Sequence, residues 1–340
     1  MVGPRTHSNN MSVFSFSAPY VTEEEEKQER QALTEQEKLE LERDLYGYPD
    51  DVTELQESSE QIEMRALEMI VQAIEELPIS TKEEYLKAVE LVPDLVETES
   101  NPLPFLRCEN WNAWSAAQRL CEYWNMRVLI FGMERAYLPM TLEGAMRADR
   151  AAMEIGLLQI LPDDNNGRPI LYWDRIRAIP PMIRRDETAR IYFYLLHTMS
   201  QRESVQRNGY VWIIYSKNYD LYKHVDRVLA KRLLKMVYTV PSNFKALHIF
   251  CGSSYSLVAM ALSMYKMFGG RYFRLRLHPH AGTVEDLLQR LALYGIDSEH
   301  LRNVLDLRGT PNEADNFLVW MDRQRQAEET MQLGSGGKLN

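Results

Sequence analysis

Apolar positions recur at two different spacings along this chain, and the change of spacing divides it. In "SSEQIEMRALEMIVQAIEELP", Ile62, Leu67, Ile70 and Ile74 fall near helical spacing, which predicts an amphipathic helix. Pro78, Pro93 and Pro102 then punctuate shorter segments. In "FLRCENWNAWSAAQRLCEYWNMRVLIFG", Asn112 is placed to cap a helix whose Trp114, Ala117, Cys121, Trp124 and Val128 form one stripe, read as core. From residue 167 the pattern changes to "RPILYWDR", a helix near 186–206, "YVWIIYS", a helix near 223–239, "ALHIFC", a helix near 254–268 and "YFRLRLH". Such alternation predicts crossover connections and a mostly parallel sheet flanked by helices. The expected class is α/β behind a helical N-terminal domain. The expected divisions are a disordered terminus over 1–32, an acidic helical region over 33–135, an α/β domain over 136–310, and a C-terminal helix with a flexible tail over 311–340.

Charge sharpens this division. The chain of 340 residues carries a net charge of −10. Residues 1–100 hold 25 acids and 8 bases, net −17, while residues 101–340 hold 24 acids and 31 bases, net +7. The two parts are therefore expected to face different partners. The run "EEEEKQERQALTEQEKLELERDL" reads as a solvated helical surface in which "TEQE", Thr34 to Glu37, resembles a capping box. A hydrophobic content of 45% suffices for one sizeable core. Three scattered cysteines, Cys108, Cys121 and Cys251, suggest neither a disulfide framework nor a zinc knuckle and point to a reducing compartment. No run approaches 18 uninterrupted apolar residues, and the start has no apolar secretory core. The expected location is cytoplasmic and peripheral to membranes.

Candidate chemistry is sparse. The stretch "ALHIFCGSSYSLVAMALSMYKMFGG" (residues 246–270) half-satisfies the G-x-S-x-G elbow of hydrolases, with Gly252 and Ser254 present but Ser256 where the second glycine belongs. Asp297 and His300 follow in hydrolase order, yet lie in one short segment, which makes triad geometry difficult. His278 and His280 of "HPH" are two candidate ligands without a completing cysteine or acid, so no metal is expected. No Walker loop or G-x-G-x-x-G follows a strand, and no cofactor is expected. The aromatics lie within apolar stripes rather than between bases, which disfavours nucleic acid.

Over roughly residues 60–310 the order of elements and several strings resemble the CRAL-TRIO lipid-binding and lipid-transfer family, of the phosphatidylinositol-transfer or tocopherol-transfer type. "PFLRCENWNAWSAAQRLCEYWNMRVLIFG" resembles that family's N-terminal helical domain, from about residue 60, and "GRPILYW" (Gly167 to Trp173) its first strand. The resemblance implies a sheet floor and helices around one lipid, with an amphipathic gate helix over the mouth. It implies a pocket lined by Tyr172, Tyr210, Trp212 and Ile214 of the floor, and by Leu257, Met260, Ala261, Met264, Met267 and Phe268 of the gate. Methionines suit such a wall because they adapt to tails of different shape. Tyr210 and Trp212 stand where phosphatidylcholine binders carry small hydroxyl residues. Ser242 stands where phosphatidylinositol binders carry an acid, while Arg271 retains their later cation. The ligand class left open is a prenyl, sterol, tocopherol or carotenoid type, or a phospholipid held differently. Lys223, Arg227, Lys231 and Lys235 recur at four-residue spacing, a solvated face or an attraction to anionic membrane. Arg274 and Arg276 add to it on the expected strand "YFRLRLH". The implied function is non-enzymatic binding and transfer or presentation of a hydrophobic lipid. The alternatives are a protein-interaction module on the same fold, of the small-GTPase-regulator type, and a serine esterase.

Overall fold

The computed structural model describes residues 23–46, 59–178, 183–216, 226–252, 271–297, 301 and 311–336. Two acidic helices come first, α1 (Glu23–Gln31) and α2 (Glu35–Tyr46), so residues 23–31 are helical inside the stretch expected to be disordered. The capping box forms as expected: Glu37 N–H donates to Thr34 Oγ1 at 3.2 Å, and Thr34 N–H donates back to Glu37 Oε2 at 2.8 Å. A helical unit follows, comprising α3 (Ser59–Glu76), α4 (Ile79–Leu91), α5 (Pro93–Glu99), α6 (Pro102–Cys108), α7 (Ala113–Phe131) and the short α8 (Met133–Ala136) and α9 (Arg150–Glu154). Asn112 caps α7, accepting from Ser115 N–H at 3.0 Å. Ala117, Cys121 and Trp124 of the expected stripe are fully buried and Val128 packs against the core, but Trp114 is exposed. Ala116, Leu120 and Tyr123 are fully buried as well, because α7 is packed by α3, α4 and α6 and must bury more than one stripe.

The sheet contains five strands in sequence order: β1 (Leu158–Leu161), β2 (Ile170–Asp174), β3 (Tyr210–Tyr215), β4 (Phe244–Phe250) and β5 (Leu277–His280). β1 pairs antiparallel with β2 and every later pair is parallel. The α/β class with a mostly parallel sheet therefore holds, and β1 is an addition to the expected set. It makes β2 an internal strand; Pro169 precedes the strand and its carbonyl accepts from Val211 N–H at 3.0 Å. Helices α10 (Arg185–Ser200) and α11 (Glu203–Asn208) connect β2 to β3, and α12 (Arg227–Met236) precedes β4. The helix α13 (Val284–Ala292) follows β5, and α14 (Pro311–Gly336) closes the chain. The expected strand "YFRLRLH" is corrected: residues 271–275 are helical and the strand begins at Leu277. Helical spacing brings the Arg276 guanidinium to 3.6 Å from the centre of the Tyr272 ring, a contact an extended strand does not allow between residues four apart.

Side-chain alternation gives the sheet two buried faces. On the inner face Leu171, Trp173, Trp212, Ile214, Leu247 and Ile249 join one core with α7, α10 and α12. On the outer face Ile170, Tyr172, Val211, Ile213, Ala246 and Phe250 join a second core with Leu41 and Leu45 of α2 and Leu287, Leu288 and Leu291 of α13. The α1–α2 segment is thus a strap across the outer face. Leu33, Leu41 and Leu45 are its buried side chains among those described, few for its length. The acidic and basic parts of the chain also pair with each other. Asp44 of the strap takes Lys245 Nζ at 2.6 Å and Arg276 Nε at 3.0 Å, Arg274 Nε donates to Glu29 at 3.2 Å, and buried Arg127 of α7 holds Glu99 at 2.6 Å.

Asp149 joins the helical unit to α10. Its carboxylate accepts from Arg190 Nε and Nη2, both at 2.7 Å, and from Arg135 Nη1 at 2.8 Å. Removing one member of a buried ion cluster leaves uncompensated charge, so Asp149→Ala is expected to destabilise the fold by about 3–5 kcal/mol. Urea unfolding at neutral pH measures this directly.

Candidate functional site

The loop that leads into β2 shows how tightly the sheet floor is set. Gly167 has φ +71°, a left-handed conformation that favours glycine, and Asp164 Oδ1 accepts from the backbone N–H of both Asn166 and Arg168 at 2.9 Å. Arg168 Nε returns to Asp164 Oδ2 at 2.7 Å. The "GRP" string is therefore a locked turn that fixes the register of Ile170 to Asp174.

That register separates the expected pocket residues. Tyr210, Trp212 and Ile214 lie on the inner face, fully buried, with Trp212 beside Leu171 of β2 and Leu247 of β4. Tyr172 points to the outer face, next to Ile213 and Gln159, so it does not line the same wall; strand alternation turns every second side chain away. Its place on the inner face is taken by Trp173, whose ring stacks on Trp212 at 6.2 Å with an interplanar angle of 8°. Tyr192 of α10 adds a third ring 5.2 Å from Trp212, and the Tyr210 hydroxyl interacts with that of Tyr192. Neither Trp173 Nε1 nor Trp212 Nε1 has a hydrogen-bond partner among the described residues, although both atoms are buried. Arg175, just beyond β2, is buried with its guanidinium 5.1 Å from the Trp173 ring centre. Trp173, Tyr192 and Arg175 were missed in the sequence. The alternation of β2 was the available signal for Trp173, since one of Tyr172 and Trp173 had to face inward.

The other expected residues divide. Leu257, Met260, Ala261, Met264, Met267 and Phe268, the gate, lie outside the described residues, as do Lys223, Ser254, Ser256 and His300. Arg227, Lys231 and Lys235 are exposed along α12, where Glu122 approaches Lys235 at 3.3 Å and Asp186 takes the intervening Arg232 at 2.6 Å. Ser242 is wholly buried, its hydroxyl without a partner among the described residues, in a turn held by Arg119, which donates to the Val240 carbonyl at 2.8 Å and the Ser242 carbonyl at 3.2 Å. Arg271 is half exposed and approaches Glu37 of the strap at 3.7 Å. Arg274 and Arg276 also turn to the strap, so these three cations sit together at the outer face rather than with the aromatic wall.

Histidines form a second polar group on the outer face. His248 Nδ1 lies 3.0 Å from His280 Nε2, the two sharing one proton, and Tyr294 OH lies 3.3 Å from His278 Nδ1. The His248 and His278 rings stack at 5.4 Å. Among the described residues no group of three histidine, cysteine, aspartate or glutamate side chains is arranged to hold a metal ion. Burial, and then neighbouring histidine or arginine charge, pushes His278 and His280 down to about 4 and His248 well below its ordinary value. This trio is a neutral, packed layer.

No described helix is long and apolar enough to cross a membrane. Residues 167–307 match the family model described as the divergent CRAL/TRIO domain, a family associated with lipid binding and transfer. No curated protein matches the chain.

The buried histidines make stability pH-dependent. Above about pH 6.5 they are neutral in both the folded and unfolded states and cost nothing. Between 6.5 and about 4 the unfolded chain takes up protons that the folded His278 and His280 do not, so stability is lost as pH falls through that window. The urea midpoint is expected to drop between pH 7 and pH 5. A His278→Gln/His280→Gln variant that still folds should show a shallower drop.

Proposed function

We propose, from the place of residues 167–307 in the CRAL/TRIO family, that this protein encloses one hydrophobic lipid against the inner sheet face and carries or presents it without chemical conversion. The observation that carries this reading is the pair of stacked indoles, Trp173 and Trp212, with both N–H groups buried and without a partner among the described residues, on the face the family uses as a floor. A buried donor without an acceptor costs about 1–3 kcal/mol. An ester, hydroxyl or quinone oxygen of a ligand lying along the indoles would relieve that cost, while apolar tails contribute about 0.8 kcal/mol per buried methylene. Donors in a wall of aromatic rings favour a bulky apolar ligand with one or two acceptor oxygens, of the prenyl, sterol or tocopherol kind, over a zwitterionic headgroup. The gate role of residues 254–268 belongs to this reading, as do a cytoplasmic location and transient docking on anionic membrane through the exposed cations of α12. The competing reading, a protein-interaction module on the same fold, needs no enclosed lipid.

Native mass spectrometry of the purified full chain, followed by organic extraction, is expected to find one lipid per protein. A chain that binds stoichiometric lipid under no condition would favour the interaction module. Trp173→Phe/Trp212→Phe keeps the aromatic area and removes both donors, and is expected to weaken retention of an oxygen-bearing ligand by up to about tenfold per lost hydrogen bond while sparing a pure hydrocarbon. Met260→Asp/Met264→Asp should abolish retention, since an unpaired charge in an apolar wall is costly. Unchanged stoichiometry in that folded variant would remove the gate assignment.

A further inference from the structure

Four cations at the outer sheet face, Lys245, Arg271, Arg274 and Arg276, find their carboxylate partners on the strap. Lys245 Nζ and Arg276 Nε meet Asp44 at 2.6 Å and 3.0 Å, Arg274 Nε meets Glu29 at 3.2 Å, and Arg271 approaches Glu37 at 3.7 Å. Among the described residues no ion pair joins any of the four to an acid outside the strap. Arg168, by contrast, has its own partner in Asp164 and gives the strap only a bond to the Asp44 carbonyl, at 2.6 Å. Residues 23–46 hold 10 acids and 4 bases, net −6. The strap therefore matches the patch in charge, and it matches the floor in polarity, since Leu41 and Leu45 rest on the outer-face core with Ile170, Val211 and Leu275.

We infer that the strap is a displaceable cover over a docking surface for an anionic lipid bilayer, so that the chain binds such a membrane only when α1 and α2 leave the sheet. A bilayer fits what the strap covers because it offers the same two things in the same order, a layer of negative charge above apolar material. A free phosphate or a wholly hydrophilic acidic chain offers the charge alone. The cover also opposes approach while it is in place, because its net −6 faces a negative surface. Displacement is within reach because a 24-residue segment is held by three leucines, the Tyr46–Tyr294 stack, the largely buried pairs of Asp44, two side-chain bonds to its carbonyls and the more exposed pairs of Glu29 and Glu37, the profile of a unit that opens locally before the core does. Arg271 follows directly in sequence on the apolar stretch 254–270, so docking through this patch brings the membrane to the residues to which the lipid-carrier reading assigns the gate. The inference rests on that reading for its purpose, but not for its test.

Co-sedimentation of the full chain with phosphatidylcholine vesicles and with phosphatidylcholine–phosphatidylserine vesicles tests the cover, and needs no enclosed ligand. Glu29→Gln/Glu37→Gln/Asp44→Asn should raise hydrogen exchange across 23–46 and raise binding to the anionic vesicles by tenfold or more, with no gain on the neutral ones. A single cation freed beside an anionic surface is worth about fivefold. Adding Arg274→Gln/Arg276→Gln to that variant should return binding to the wild-type level. If exchange shows the strap still seated, Leu41→Asp/Leu45→Asp releases it by removing its apolar anchors, and the same comparison is made. A folded variant with a released strap that binds anionic vesicles no better than wild type overturns the inference. So does a gain that survives loss of the two arginines, which would move docking to α12. Either result leaves lipid content by native mass spectrometry as a separate question.

Discussion

A mostly parallel sheet with apolar side chains on both faces cannot stand in water on either side, and most of the arrangement of this chain follows from that constraint. Leu171, Trp173, Trp212, Ile214 and Ile249 demand helices on one side, and α7, α10 and α12 supply them. Ile170, Tyr172, Val211, Ile213 and Phe250 demand a cover on the other. The described crossover helices α10 and α12 do not provide it, because strands added in one direction with right-handed connections put such helices on a single face. The outer face is left to α13 and to a segment from the far end of the chain. An acidic helical pair with little apolar content of its own is thereby drawn onto a β-sheet.

The elements that local pattern determines were legible. Strands β2, β3 and β4 are runs of apolar residues bounded by turns, and Asn112 and Thr34 cap helices as their spacing implies. What failed depended on contacts distant in sequence. β1 is too short and too ordinary to stand out, and becomes a strand only because β2 needs a neighbour. Residues 271–275 alternate like a strand but coil into a helical turn that seats Arg274 and Arg276 against Glu29 and Asp44, more than 200 residues earlier. The charge asymmetry was visible, but not that acids of the first hundred residues serve in part as counterions for bases of the last hundred.

The candidate site was half legible for a related reason. Resemblance picked out Tyr210, Trp212 and Ile214 and took Tyr172 with them, but the parallel register pairs Tyr172 with Ile213 on the opposite face. In a strand buried on both sides, hydrophobicity does not say which side chain faces which core. The polarity of Trp173 and Trp212 does carry information once the fold is known. An inner wall built only for packing is served as well by phenylalanine or leucine, with no indole N–H left unpaired.

The two faces differ in how their charges and indole donors are met. On the outer face, charges and most polar groups are matched within the chain, His248 with His280, Tyr294 with His278, Asp44 with Lys245 and Arg276, while His248 Nε2 and His278 Nε2 find no partner among the described residues. On the inner face, donors remain unmatched among the described residues, in the place where apolar enclosure makes that most expensive. The matched face holds its partners in a segment with three leucine anchors, which can exchange them for charges supplied from outside. The unmatched face is closed by the main core and gains only from a molecule that brings acceptors inside. Binding on the inner face thus adds to the stability of the fold, whereas binding on the outer face must compete with it, and this difference suits the first to holding a cargo and the second to responding to a surface.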